Sequence, residues 1–280
     1  MKLARIGAPG RERPAVMDGE GRWRDLSPVL PELTADPPGS AADIARRALA
    51  GGALPVIDAP TRFGPPVERV GKVVCIGLNY RDHAAETGAE IPAEPVVFLK
   101  AGDTVVGAYD EVLVPRNSRK TDWEVELAVV IGRTARYLPD EAAADACIAG
   151  YAISHDVSER EFQLERGGQW DKGKNCETFN PLGPWLVAPD EIADPQALGL
   201  RLWVNGDLRQ DGSTKDMIFG VRHLVHYLSQ VMVLYPGDVV NTGTPAGVAL
   251  GTGAPYLKPG DVVELEIDGL GRQRQVLGAA

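Results

Sequence analysis

Short apolar runs, broken by glycine, proline and charged residues, recur along the chain and predict strands more often than helices. Beyond residue 66 the expected strands are Val73–Ile76, Val96–Leu99, Val112–Val114, Trp123–Ile131, Ile148–Ser154, Leu200–Val204, Val239–Asn241 and Val262–Ile267. Helices are fewer: the best are Glu141–Ala149, Ser158–Arg166 and Val221–Gln230, and Gly77–Glu86 leaves a strand and enters a helix. Upstream, Lys2–Gly7 and Arg13–Trp23 read as strands, the second folded into a hairpin at Asp18-Gly19-Glu20-Gly21. Ser40 is placed to cap a helix over Ala41–Leu49, which Gly51-Gly52 would stop. Pro60, Gly64, Pro65 and Pro66 then crowd one short stretch, so a boundary is expected near residue 66, with a small N-terminal domain over 1–66 and a larger one over 67–280. The fold class is α+β, mostly β. No internal repeat or heptad pattern is present.

Composition narrows the function. With 280 residues, 44% hydrophobic, the chain can bury a large core, and no run approaches the ~18 apolar residues of a membrane span. The net charge of -10, carried by residues 71–280, disfavours a nucleic-acid surface. Three scattered cysteines and no signal-peptide pattern fit a reducing cytoplasm. The absence of GxxxxGK[ST], GxSxG, HExxH and a helix-opening GxGxxG removes nucleotide-binding, serine-hydrolase and zinc-protease classes. Ser154-His155-Asp156 is no triad, because neighbouring strand residues point to opposite faces.

Candidate chemistry begins at Asp122-Trp123-Glu124-Val125-Glu126-Leu127. Glu124 and Glu126 share one strand face, either as the solvated face of an edge strand or as a carboxylate pair that a divalent cation would relieve of mutual repulsion. The apolar Val129-Val130-Ile131 continuation favours a buried strand. Asp156 follows a strand and precedes the capping-box spacing Ser158–Glu161, so it reads either as a turn residue or as a third carboxylate. Arg160 and Gln163 are three apart on the helix expected there, and present either surface polarity or a cation and an amide to one ligand. His83 and Glu86 have the spacing at which a carboxylate orients an imidazole as a base, a spacing that also arises on any exposed helix. The Lys172–Phe179 loop carries Lys174, and Asn241-Thr242-Gly243-Thr244-Pro245-Ala246-Gly247 offers backbone N–H groups that can cradle a carboxylate.

The motifs GLNYRDHAAE, TDWEVELAVVIG, HDVSEREFQ, GGQWDKGKN and NTGTPAGV, in that order, make residues 70–270 resemble the fumarylacetoacetate hydrolase family. SEREFQLERGGQWDKGK further resembles its branch acting on 2,4-diketo-3-deoxy-L-fuconate and L-rhamnonate. The resemblance implies a mixed β-sandwich roll with a small N-terminal α/β domain, assembled as a homodimer. It implies Mg2+ or Mn2+ held by Glu124, Glu126 and Asp156, and catalysis by His83, Glu86 and Lys174. Substrate contacts would come from Tyr80, Arg160, Gln163 and Thr244. The implied reaction is hydrolysis of a carbon–carbon bond in an anionic 2,4-diketo acid, giving pyruvate and an acid such as lactate. Oxaloacetate decarboxylation or isomerisation within the family, and a non-catalytic sugar-acid-binding module, are the alternatives. Asn175 and Ala249 depart from the family pattern, where serine and glycine are common.

Overall fold

The computed structural model describes residues 1–33, 41–52, 54–58, 60 and 62–280. Its largest element is an eleven-stranded mixed sheet. The strand Val125–Ile131 lies near its centre, between Ile148–His155 and Val239–Asn241, and is buried along its whole length. Lys72–Gly77 runs parallel to Val239–Asn241, and Val96–Ala101 closes that side. A five-stranded sheet contains Gly199–Val204, Val262–Ile267 and Gly271–Ala279.

Alternation along the central strand explains the layers. Val125, Leu127 and Val129 point to a core shared with Leu200, Leu202, Val263 and Leu265 of the smaller sheet. Ala128 and Val130 point the other way, against Leu3, Val16, Leu26 and Ala45. Glu126 shares that second face, as do Ser154 and Asp156 with Ala152 on the neighbouring strand. The N-terminal residues thus cover the sheet up to the level at which the carboxylates begin. The N-terminal strand Lys2–Ile6 joins this sheet by pairing with Asn180–Val187.

Helices Ala41–Ala50 and Val221–Val231 form as the spacing predicts, while the cap expected from Ser40 lies outside the described residues. Two other helices do not form. Over Glu141–Ala149 only a 3-10 turn, Ala142–Cys147, appears, because Ile148 is already paired to Ile131. Over Ser158–Arg166 the first two residues pair with Thr121–Asp122 and a single π turn follows, Glu161–Glu165. Its capping box is absent: Ser158 Oγ donates to the Asp156 carbonyl, and Glu161 accepts from Arg166. The strand expected from Trp123 has regular pairing only from Val125. Three of the longer strands were hidden in the pattern. Asn180–Val187 carries two prolines, Asp207–Ser213 is polar, and Gly271–Ala279 alternates through glutamines.

Those glutamines are structural. Gln273 Nε2 donates to the Ile153 and Gly183 carbonyls, and Gln275 Oε1 lies 3.1 Å from His155 Nδ1. Burial holds His155 neutral, lowering its pKa from 6.5 to about 3. Between those values the unfolded chain binds the extra proton, so stability rises with pH and is lost on acidification below about pH 6.5, by up to about 1.4 kcal/mol per pH unit. His155→Gln should flatten the fall in urea midpoint over that window. An unchanged slope would contradict this assignment.

Candidate active site

The strand alternation, a tight turn and one short helix bring three carboxylates together. Oxygens of Glu124, Glu126 and Asp156 lie within 4.8 Å of one another, and all three residues are buried. The Asp156 N–H donates to the Glu124 carbonyl at 3.0 Å, which ties the two segments at their ends. Glu124 Oε1 accepts from Arg160 Nη2 and Oε2 from Lys174 Nζ, each at 2.7 Å. Lys174 also donates to Asp156 Oδ2 at 2.9 Å and sits 4.9 Å above the Phe98 ring. Glu126 Oε2 accepts only a main-chain donor, Gly243 N–H at 2.7 Å. That bond needs a glycine: residue 243 has φ +95, and a Cβ there would stand 2.8 Å from Asn79 Cβ.

Electrostatics separates the carboxylates. Burial opposes ionisation of Glu124, but Lys174 and Arg160 overcome it and hold the carboxyl below its ordinary range. Burial, then Asp156 and Glu124, push Glu126 well above it. Burial opposes the charges on Lys174 and Arg160 too, yet the neighbouring carboxylates keep both firmly protonated. Around the cluster, Lys100, Arg160 and Lys174 face Asp122, Glu124, Glu126 and Asp156, all buried, so with all four carboxylates ionised negative charge would be in excess by one. A dication would turn that into one net positive charge, suited to an organic anion. The donors are all hard oxygens, the set that Mg2+ and Mn2+ accept, and the carboxylates therefore fit such an ion.

The other expected residues divide. His83 and Glu86 meet on the helix Arg81–Thr87, with Nδ1 3.4 Å from Oε2, and Gly247 N–H holds the other carboxylate oxygen at 2.9 Å. Arg160 is engaged by the chain itself: Nε donates to Asp122 Oδ2 at 2.8 Å and Nη1 to Gln163 Oε1 at 3.1 Å. Gln163 then has its Nε2 amide left for a ligand. Thr244 Oγ1 donates to the Val125 carbonyl and accepts from Gln210 Nε2, although the residue lines the same cavity. Tyr80 is buried in the core, outside that lining, with no partner for its hydroxyl among the described residues. The loop expected to cradle a substrate carboxylate cradles the protein's own: Gly243, Ala246 and Gly247 donate to Glu126, Asp82 and Glu86.

Two residues of the cluster were not foreseen. Lys100 Nζ donates to Asp156 Oδ1 and to the Phe179 carbonyl, fully buried. Its signal was a lysine two residues from Phe98 in an apolar strand, where both must share a face. Asp122 receives the Ala249 and Leu250 N–H groups at 2.8 and 3.0 Å, so the departure at Ala249 keeps its main-chain contact. The departure at Asn175 acts as a strand neighbour, its amide donating to the Leu99 carbonyl and accepting from Ala101 N–H.

The cavity above the carboxylates has a volume of about 190 Å³ and is lined by His83, Glu124, Glu126, Gln163, Lys174 and Thr244 among others. A wider hollow of about 570 Å³ lies elsewhere, and its Arg222 and His223 are paired with Asp145 and Glu141. Its two lining cations are thus paired locally, whereas the smaller cavity borders the carboxylate cluster.

Residues 72–277 match the family model described as fumarylacetoacetate (FAA) hydrolase C-terminal. A curated 2,4-didehydro-3-deoxy-L-rhamnonate hydrolase from Sphingomonas sp. is 50% identical over 279 residues, covering 98% of this chain and 95% of the relative. Among solved structures, fumarylacetoacetate hydrolase from Exiguobacterium antarcticum superposes with a TM-score of 0.85 at 33% identity, covering 100% of both chains. A 2-hydroxyhepta-2,4-diene-1,7-dioate isomerase from Mycobacterium marinum gives 0.75 at 34% identity, covering 100% of this chain and 98% of that one. No described helix is long and apolar enough to cross a membrane.

Proposed function

This chain belongs to the fumarylacetoacetate hydrolase family, and from that premise we propose that it hydrolyses the C3–C4 bond of a 2,4-diketo acid, releasing pyruvate and a second carboxylic acid. The observation that carries the reading is one cavity lined by Glu124, Glu126, Lys174 and His83, with Asp156 completing the buried carboxylate triad behind it and Glu86 holding His83. A 2,4-diketo-3-deoxy sugar acid or an acylpyruvate would serve as substrate, and the name of the Sphingomonas relative supports the former.

Glu124, Glu126 and Asp156 would hold Mg2+ or Mn2+, whose Lewis acidity polarises a substrate carbonyl. The remaining work falls to side chains. Glu86 engages His83 Nδ1, which leaves Nε2 to take a proton from water as its oxygen attacks the C4 carbonyl. Lys174, held protonated, donates to the oxyanion that forms there. The C3–C4 bond then breaks, its electron pair passes to C3 as the enolate of pyruvate, and the proton on His83 returns to C3. Gln163 Nε2 orients the substrate, while Arg160 fixes Gln163 and Glu124. The neighbouring isomerase shares the fold without this bond cleavage, so products decide between the two readings. In H2 18O, hydrolysis places one labelled oxygen in the released acid; unlabelled, unchanged carbon skeletons would mean isomerisation.

His83→Ala should lower turnover by roughly 10²–10⁴-fold while leaving Mn2+ affinity unchanged. Calorimetry showing loss of the ion would contradict the role given to His83.

A further inference from the structure

The walls of the active-site cavity are chemically divided. Its floor is formed by the buried Glu124, Glu126, Arg160 and Lys174. Its outer wall is Leu78, Phe98, Leu164, Trp170 and Leu250. Leu164 and Leu250 stand at the mouth, 42% and 39% exposed. Trp170 packs edge-on against Phe98 with centroids 5.6 Å apart, and lies flush on Gly77, where an added Cβ would meet its ring at 2.6 Å. The aromatic wall is therefore fixed in place.

Apart from Lys174, which stands 4.9 Å over Phe98, no cation among the described residues lines that outer wall, and none lies at Leu164, Trp170 or Leu250. Arg160 and Lys174 are the lining cations, and both are engaged at the floor by Asp122, Glu124 and Asp156. Thr87 is the polar side chain near the mouth, and its hydroxyl donates back to the His83 carbonyl at 2.9 Å. The surface cations that follow Leu164 are committed as well: Arg166 to Glu161, and Lys172 to the Arg166 carbonyl at 2.7 Å.

We propose that this cavity selects keto acids with a single carboxylate, whose far end is uncharged and closes in a methyl or short alkyl group against Leu164, Trp170 and Leu250, and that it rejects dicarboxylates. The proposal rests on the reaction assigned above for the orientation of the substrate, carboxylate and 2-keto group at the floor and acyl end at the mouth. A second carboxylate packed against Leu164, Trp170 and Leu250 would lose part of its water without gaining a donor, and desolvating a charge that finds no partner is disfavoured. A hydroxyl added part-way along the acyl chain is tolerated better, because an apolar pocket rejects it only weakly.

Two arms test this. Pyruvate release is measured for acylpyruvates of equal length with and without a terminal carboxylate; the form lacking it should be favoured on the order of 100-fold in kcat/KM. Binding of 2-oxohexanoate and 2-oxohexanedioate is measured by calorimetry with Mg2+, since these acids have no 4-keto group to cleave and differ only at the far end. The monoacid should bind more tightly by a similar factor. Leu164→Arg, at an exposed position, should narrow both preferences at least about tenfold by supplying the missing cation. Wild-type preference below tenfold in the binding arm, or a variant that discriminates as wild type does, overturns the proposal. Absence of pyruvate from every acylpyruvate overturns the assigned reaction instead, and the binding ratio still decides this one.

Discussion

Glu126→Ala is expected to abolish metal-dependent pyruvate release and to lower affinity for Mn2+ by more than about 100-fold. Glu126 is the carboxylate of the triad with no side-chain cation on it, and burial beside Asp156 and Glu124 makes its charge costly in the protein alone. Glu124 and Asp156 are already compensated by lysines and Arg160. Removing Glu126 therefore relieves repulsion in the metal-stripped protein and removes the oxygen that most favours a dication. Two readouts should move oppositely. The stripped variant should unfold at a temperature equal to or above wild type. Wild type should gain about 4 kcal/mol when free metal reaches ~1,000 times its Kd, and the variant almost nothing. Thermal unfolding with and without Mn2+ checks both, and equal metal stabilisation in the two proteins would count against the triad.

Lys100→Met should have the largest effect on folding. Methionine keeps the length of the stem but removes the ammonium that bridges Asp156 Oδ1 and the Phe179 carbonyl in a fully buried setting. Breaking a buried ion pair from one side costs about 3–5 kcal/mol; Asp156 would stay charged and keep Lys174 on Oδ2, so the lower end of that range is expected. That is a large share of the ~5–15 kcal/mol by which a domain is stable. The denaturant midpoint should fall accordingly, and Asp156→Asn added to Lys100→Met should return part of the loss. A shift below about 1 kcal/mol would mean that Lys100 is not bearing on Asp156.

The difference between Glu126 and Lys100 shows what the sequence makes legible. Glu126 lies in the apolar strand Val125–Ile131 and Glu124 one residue before it, so the sequence's period-two alternation already suggested a common face. His83 and Glu86 follow in the same way from helical spacing. Lys100 carries no such local partner: Asp156 is 56 residues away, and only the order of strands in the sheet brings them together. Asp122 was visible beside Glu124, but its partners, the N–H groups of Ala249 and Leu250, lie 127 and 128 residues on. The same limit explains the helix expected over Ser158–Arg166. Its local cap signals were sound, yet pairing with Thr121–Asp122 drew Ser158 into a strand, and that pairing is what turns Arg160 inward toward Glu124. Gly271–Ala279 was hidden for a chemical reason. Its buried face is Gln273, Gln275 and Leu277, and the two glutamine amides bond to main-chain carbonyls, so most of the alternation is present without hydrophobicity.

The central claim is that the buried carboxylates act through a bound dication. Pyruvate release from a methyl-terminated acylpyruvate, by protein stripped with a chelator and then supplied with Mg2+, tests it most directly. Release should be absent from the stripped protein and return with added Mg2+, whereas the same rate before and after would contradict it.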